Sequence, residues 1–480
     1  MGSRTWKAAL VVVATMAAAA AACAPAPKPP PPLRVTTTAE TFDGVCDEVD
    51  CSFSDAIHAS NQRPLNAGGI PNEIRVPAGT YTFTGATPLV ITDPVVINGA
   101  GRTGTVLDLS GSPITAPGAV LDPQNTTIMT GMRIVSDAAS PTHVLASCAG
   151  HLPKSFSLLN SATENLAAVS TACDAVFVGV DVTGPASVIT PNSISGTGSR
   201  LPFPDEPLVV GRFSFVNSVI VGPTAADGSS VDSTLTIHPK PGINTTGTFT
   251  GTHFDRVGLS LGNPAGGNTY AVFSLSSFDL AGTEGPRRID VLPGSSLRLT
   301  QSSVFGGGSE GAIHAEGQLV LQGATIANPG PGIVVGTGAT VTARRSILST
   351  LGAGPVCTAP ITLTTYNVHV DSSCGTPSAT DLTVASHAEL QLSDMGANAS
   401  RNPSLSMVPA QTSPVVDQIA KQSLSGLDCP FSTEQKMGAS MDQRGYARPS
   451  GEACDLGAAE YLYPVVPPAT TTTTSSTIAP

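Results

Sequence analysis

Charged and aromatic side chains are what this 480-residue chain has least of: 12% of its residues are charged, 4% are aromatic, and tryptophan occurs once. A formal net charge of −12 with no cluster of Lys and Arg excludes a phosphate-binding surface, and with it a nucleic-acid partner. The chain has no HExxH, no P-loop and no paired CxxC, which removes the common sequence signals for a catalytic zinc, a nucleotide and a zinc ribbon. The GxGR at Gly99 to Arg102 reads as a strand-end turn. Long apolar runs are also scarce. Ala8 to Ala22 is too short to span a bilayer comfortably, and with Arg4 and Lys7 before it and APAPKPPPP after it, the run reads as an export signal. Two processing routes remain open: lipidation of Cys23 after Ala20-Ala21-Ala22, or ordinary cleavage at an Ala-x-Ala site without lipid attachment.

What the chain has in abundance is Gly, Pro, Ala, Ser and Thr, punctuating short β-branched segments. Such segments are too short for helices and too rich in Val, Ile and Thr, so they predict strands. LRLTQSSV (Leu297 to Val304), LVLQGATI (Leu319 to Ile326) and TVTARRSI (Thr340 to Ile347) are copies of one unit: an alternating strand, a small or polar kink, then a β-branched residue. The period is roughly 21 to 26 residues, the length of one solenoid coil. A coil cannot bury its apolar side alone and must stack on its neighbours. About 14 coils between Ile74 and Ser413 would make a rod of about 65 to 70 Å. One helix is predicted, over Ser52 to Asn61, where Ser52 and Asp55 form a capping box and Phe53, Ala56, Ile57 and Ser60 fall on one face.

Two segments carry a family resemblance. CSFSDAIHASN (Cys51 to Asn61) resembles the CSLREA motif that opens many secreted bacterial β-helix proteins of the pectin-lyase-like type, with Phe53, Ser54 and Asp55 standing where that motif has Leu, Arg and Glu. DQRGYARPSGEACDLGAAE (Asp442 to Glu460) is similar to the closing signature of the choice-of-anchor Q domain, matching at Asp442, Arg444, Gly445, Arg448, Pro449, Gly451, Cys454, Asp455, Gly457, Ala458 and Glu460. SPVVDQI (Ser413 to Ile419) resembles the segment that precedes that signature. The resemblance implies an all-β, right-handed parallel β-helix with a capping helix at one end and a compact cap at the other. It transfers a fold more than a function.

The expected organisation is an export signal over 1–23, a Pro-rich linker over 24–38, the β-helix with its N-terminal cap over 39–413, a C-terminal capping module over 414–466 and a Thr-rich tail over 467–480. Without Cys23, eight of the nine cysteines remain, and in an exported chain they fall into the sequence-local couples Cys46–Cys51, Cys148–Cys173, Cys357–Cys374 and Cys429–Cys454. Asp442, Arg444, Arg448, Asp455 and Glu460 are expected to fix the loop-rich cap through Arg–carboxylate pairs, with Ser52 and Asp55 doing the same for the helix.

The candidate for chemistry is a carboxylate column. Asp255 and Asp279 each follow a Phe and are separated by 24 residues, and Asp205 and Asp181, themselves 24 residues apart, are expected to continue the column backwards across one gap. Stacked on one outer face, such carboxylates would suit a Ca²⁺ site at Asp255 and Asp279, or the acid and base of a glycosidase at Asp181, Asp255 and Asp279. Arg256, Arg287 and Arg288 are available as the basic groups of a lyase. With no other constellation, the leading expectation is a non-catalytic cell-surface or extracellular module that takes a glycan or cell-surface ligand and needs no cofactor. The alternative is a polysaccharide lyase or glycoside hydrolase on the same fold.

Overall fold

The computed structural model describes residues 30–63, 70–138, 141–149, 154–183, 188–190, 193–203, 208–222, 233–239, 244–262, 268–281, 287–419 and 441–463. The export signal, Cys23, Asp205, Cys429 and the Thr-rich tail lie outside these residues.

The chain winds as a right-handed parallel β-helix with three sides. A front sheet of 14 strands runs from Leu33–Arg34 to Thr362–Leu363, and a flank sheet of 14 strands runs from Gly79–Thr82 to Leu382–Thr383. The third side is made of a five-stranded sheet and a six-stranded sheet, over Leu89–Ile91 to Val188–Thr190 and Leu208–Val210 to Ile333–Val335. All strand pairs named within these sheets are parallel, for example Thr246 beside Tyr270 and Tyr270 beside Ser296.

The corner between front and flank explains the small or polar kink of the repeat. Two residues turn the chain, the first with positive φ: Asn160, Gly179, Gly198, Asn217, Gly251, Leu275, Gln301, Gly323 and Arg345. The second is usually a hydroxyl residue. Ser199, Ser218, Thr252, Ser276, Ser302 and Ser346 each donate to the carbonyl two residues back. Several also accept an N–H from the preceding coil, as Ser276 Oγ does from Thr252 N at 3.3 Å and Ser302 Oγ from Ser276 N at 3.2 Å. These bonds link coil to coil and offset the roughly 1–2 kcal/mol that an αL conformation costs Leu275 or Arg345.

Coil length is more variable than the repeat predicted. Neighbouring front strands set Asp174 beside Ser193 and Ser193 beside Arg212, then Arg212 beside Thr246, before Ser296 meets Gln318 and Gln318 meets Thr340. Between Asp174 and Ile347 the two-residue corner stays constant, so the surplus there is carried by the other connections of the coil.

Inside, one side chain per strand stacks on its counterpart a coil away. Phe215, Phe249 and Phe273 stack with centroids 5.1 and 4.3 Å apart, and Phe254 stacks on Phe278 at 4.4 Å. Gly247 sits opposite Phe213, whose ring occupies the space a Cβ at Gly247 would need.

The helix spans Phe53–Gln62, with Ser52 and Asp55 forming the capping box. It seats on the first coil through Asn61 Nδ2 to Val90 O at 2.7 Å and Asn72 Nδ2 to Ser60 O at 3.0 Å. The strand Leu33–Arg34 precedes it, inside the stretch expected to be linker. Leu33 and Val35 are buried and Arg34 is exposed, an alternation that extends the front sheet by one rung. Disulfides join Cys46–Cys51, Cys148–Cys173 and Cys357–Cys374. Cys454 is also disulfide-bonded, and its expected partner Cys429 is outside the described residues.

The C-terminal module packs Val415, Ile419, Cys454 and Leu456 against Val368, Val384 and Leu390 of the last coils. Together with the segment around Leu405, it also runs back along the flank. Leu405 N donates to Ser277 Oγ at 2.8 Å, Gln443 Nε2 to Ser276 O at 2.7 Å, Ala458 N to Thr325 Oγ1 at 2.9 Å and Gly457 N to Arg345 O at 2.9 Å. The flank positions it covers, Ser277, Ser303, Thr325 and Ile347, point outward and are buried. Small hydroxyl residues there leave room and donors for an irregular backbone to dock.

Candidate functional site

Asp255 and Asp279 are direct neighbours on adjacent flank strands. Phe254 and Phe278 point into the core, so the two carboxylates point out. At a strand spacing of about 4.8 Å they form the one part of the expected column that the structure assembles. Asp181 belongs elsewhere: it pairs with Arg200, whose row continues through Val219 to His253, two residues along the strand from Asp255. The two-place offset is already in the spacing: Asp181 lies 74 residues before Asp255, two more than three 24-residue steps, and the three coils from Asp181 to His253 span 72 residues.

Burial pushes the Asp279 carboxyl above its ordinary range, with the Asp255 charge adding to the rise and the hydrogen bond from Ala281 N opposing it. Asp255 lies 3.5 Å from Arg256 Nε. His253 Nδ1 is 2.9 Å from Ser277 Oγ, an oxygen that also accepts Leu405 N. Burial drives the His253 pKa down to about 4, keeping the ring neutral at physiological pH. Ser277 has no solvent exposure, so this Ser–His contact anchors the C-terminal segment and presents no nucleophile. Arg287 donates to Ala281 O at 3.2 Å, whereas Arg288 turns to the third side and pairs with Asp290 at 2.7 Å. Among the described residues, no three His, Cys, Asp or Glu side chains converge as a metal-binding group.

Two surfaces were not legible as sites. On the third side Asp290 stacks beside His314, with His314 Nδ1 3.4 Å from Asp290 and Nε2 3.9 Å from Glu316. On the front sheet, an open trough of about 550 Å³ is lined by Val176, Ser195, Arg212, Ser214, Thr248 and Tyr270. Ser195, Ser214 and Thr248 are successive rungs of one outward row, and Arg212, Thr246 and Tyr270 of the next. Tyr270 is 43% exposed, unusual in so aromatic-poor a surface. The register that aligns these residues depends on coils of unequal length, which the repeat alone does not specify.

The C-terminal charges form a closed network. Arg444 donates Nε and Nη2 to Asp442 Oδ2 at 2.9 and 2.7 Å, and Arg448 Nε meets Glu460 Oε1 at 2.5 Å. Arg448 also reaches Gln301 of the front-to-flank corner, Gly457 O and Asp455 O. The Asp455 carboxyl accepts the N–H groups of Asp417 and Tyr461, and burial, followed by the charge of Glu460, pushes its pKa up to about 7 from an ordinary 3.8. The folded module therefore holds a proton that the unfolded chain has released. Its contribution is fully present below about pH 4 and is lost as pH rises through about 7. Hydrogen exchange over 441–463 is expected to show stronger protection at pH 5 than at pH 8; equal or reversed protection would contradict this assignment.

No family model matches the chain, and no curated protein matches it. Among solved structures, the chain is similar to the catalytic unit of a thermostable GH87 alpha-1,3-glucanase from Streptomyces thermodiastaticus strain HF3-3, at 14% identity and a TM-score of 0.38 over 75% of this chain and 69% of that one. It is similar to tailspike protein 3 of bacteriophage CBA120, at 13% identity and a TM-score of 0.40 over 72% and 59% of the two chains. A pectate lyase, Pel9A, is 15% identical with a TM-score of 0.34, covering 89% of this chain and 95% of its own. The parallel β-helix rests on the strand pairing of this chain itself.

Proposed function

We propose that this chain is an exported, non-catalytic β-helix that binds a glycan along its front face, at or near a bacterial surface. The observation that carries the reading is the trough over Ser195, Ser214 and Thr248, bordered by Arg212 and Tyr270. Hydroxyls that both donate and accept recur there at each strand spacing of about 4.8 Å, a ladder suited to the hydroxyls of an extended sugar polymer. Tyr270 offers an apolar ring with a polar tip, and Arg212 offers a fork for an acidic substituent. Three disulfides fit an oxidising compartment. In the same reading, 1–23 is the export signal, with Cys23 as lipid anchor or free secretion as the alternative, 467–480 is a solvated spacer, and the resemblances to the CSLREA motif and the choice-of-anchor Q signature support a role at the surface.

The test is binding of soluble polysaccharides to the purified protein by affinity electrophoresis. Tyr270→Ala is expected to weaken binding of a retained polymer roughly tenfold, as loss of an exposed aromatic anchor does, with the unfolding midpoint unchanged. Retention that is indifferent to this substitution, or absent for every polymer, would refute the trough. A second reading, a glycoside hydrolase, is favoured by one observation: Asp255 and Asp279 face each other while burial helps Asp279 hold a proton, the division of roles between base and acid.

A further inference from the structure

A cavity of about 400 Å³ lies between the capping helix and the first coil. Its walls are mostly apolar and include Phe42, Ile57, Phe83 and Leu89, with His58 set edge-on to Phe42 at 5.8 Å between centroids. Among the described residues, no Lys or Arg lines it. The Glu40 carboxyl is set into this cavity, more than half buried, beside the Ser54 hydroxyl. The neighbouring Asp55 is committed to the fold: its oxygens accept Gly44 N at 2.9 Å, Ser52 N at 3.3 Å and Ser52 Oγ at 2.7 Å. Glu40 meets the Ser54 hydroxyl, and among the described residues no Lys or Arg of the cavity balances it. A carboxylate half removed from water gains most from a cation that brings its own apolar surface, because a strongly hydrated ion would lose more solvation than the cavity returns. Aromatic walls add attraction for such a cation. Phe42 is 59% exposed, so it stands as a free lip at the cavity mouth.

We propose that this cavity binds a small organic cation of the alkylammonium class, with the charge on Glu40 and the alkyl groups against Phe42, Phe83 and Leu89. The site is separate from the front-sheet trough and stands independently of the glycan reading.

Isothermal calorimetry with choline and with dimethylbutanol, its uncharged carbon isostere, separates charge recognition from simple apolar filling. The wild-type protein is expected to bind choline at least about tenfold more tightly than dimethylbutanol. Glu40→Gln is expected to remove that preference, and Phe42→Ala to weaken choline about threefold or more. Both substitutions are made at side chains outside the solenoid core, and circular dichroism melting confirms the fold in each. Equal affinities for the two probes, absence of choline binding, or a preference that survives Glu40→Gln would overturn the proposal.

Discussion

Phe249→Ala is expected to lower the unfolding free energy by about 3–5 kcal/mol, the range for deleting a fully buried aromatic side chain. Phe249 has no solvent exposure and touches four other rings: Phe215 and Phe273 stacked above and below, Phe213 beside it and Phe254 across the core. Neighbouring rings cannot close the gap, because each is held at its own rung by parallel strand pairing one coil away. In a solenoid each coil stabilises only its neighbours. The loss should therefore appear first as reduced hydrogen-exchange protection in the strands Arg212–Val216, Thr245–Thr250 and Thr269–Ser274, with coils near Ile97 much less affected. Phe249→Leu, which refills most of the volume, is expected to cost about half as much. A loss below about 1 kcal/mol for the alanine variant would show that the aromatic stack is not the core described here.

Arg448→Met is expected to cost about 3–5 kcal/mol of module stability, because it leaves Glu460 charged, buried and without its cation. Glu460 is 1% exposed, and among the described residues its oxygens accept, beyond Arg448, the N–H groups of Asp455 at 2.9 Å and Ser450 at 3.2 Å. Arg448 also ties the module to the solenoid through Gln301, so its loss should release the segment 441–463 from the flank while the β-helix spectrum persists. Arg448→Lys should rescue little, since one ammonium cannot reach Glu460, Asp455 O, Gly457 O and Gln301 together. Limited proteolysis reads this directly: new cuts within 441–463 are expected in both variants. An uncut module in the methionine variant would place the docking energy elsewhere.

The fold was legible because its signals are local. Ser52 and Asp55 announce the helix start within four residues, and the alternating segments around Leu297, Leu319 and Thr340 announce strands with their corner. The arrangement of outward side chains was not. Asp181 was aligned with Asp255, yet it lies 74 residues before it, two more than three 24-residue steps, and so falls in the His253 row, two places along the strand. The same uncertainty hid the Asp290–His314 pair and the Ser195–Ser214–Thr248 row, whose members are far apart in sequence and meet only through register. The flank docking of the C-terminal module escaped notice for a related reason. A serine at 277 or 303 reads as any exposed strand hydroxyl until Leu405 and Gln443 are seen to bond to it.

Prolonged incubation of the purified protein with a polysaccharide it retains, followed by product analysis with and without Ca²⁺, tests the central claim of binding without cleavage. The expected result is bound polymer recovered at its original length. Shortened or unsaturated products that disappear in Asp255→Asn or Asp279→Asn variants, with folding retained, would contradict it and assign the flank carboxylates to catalysis.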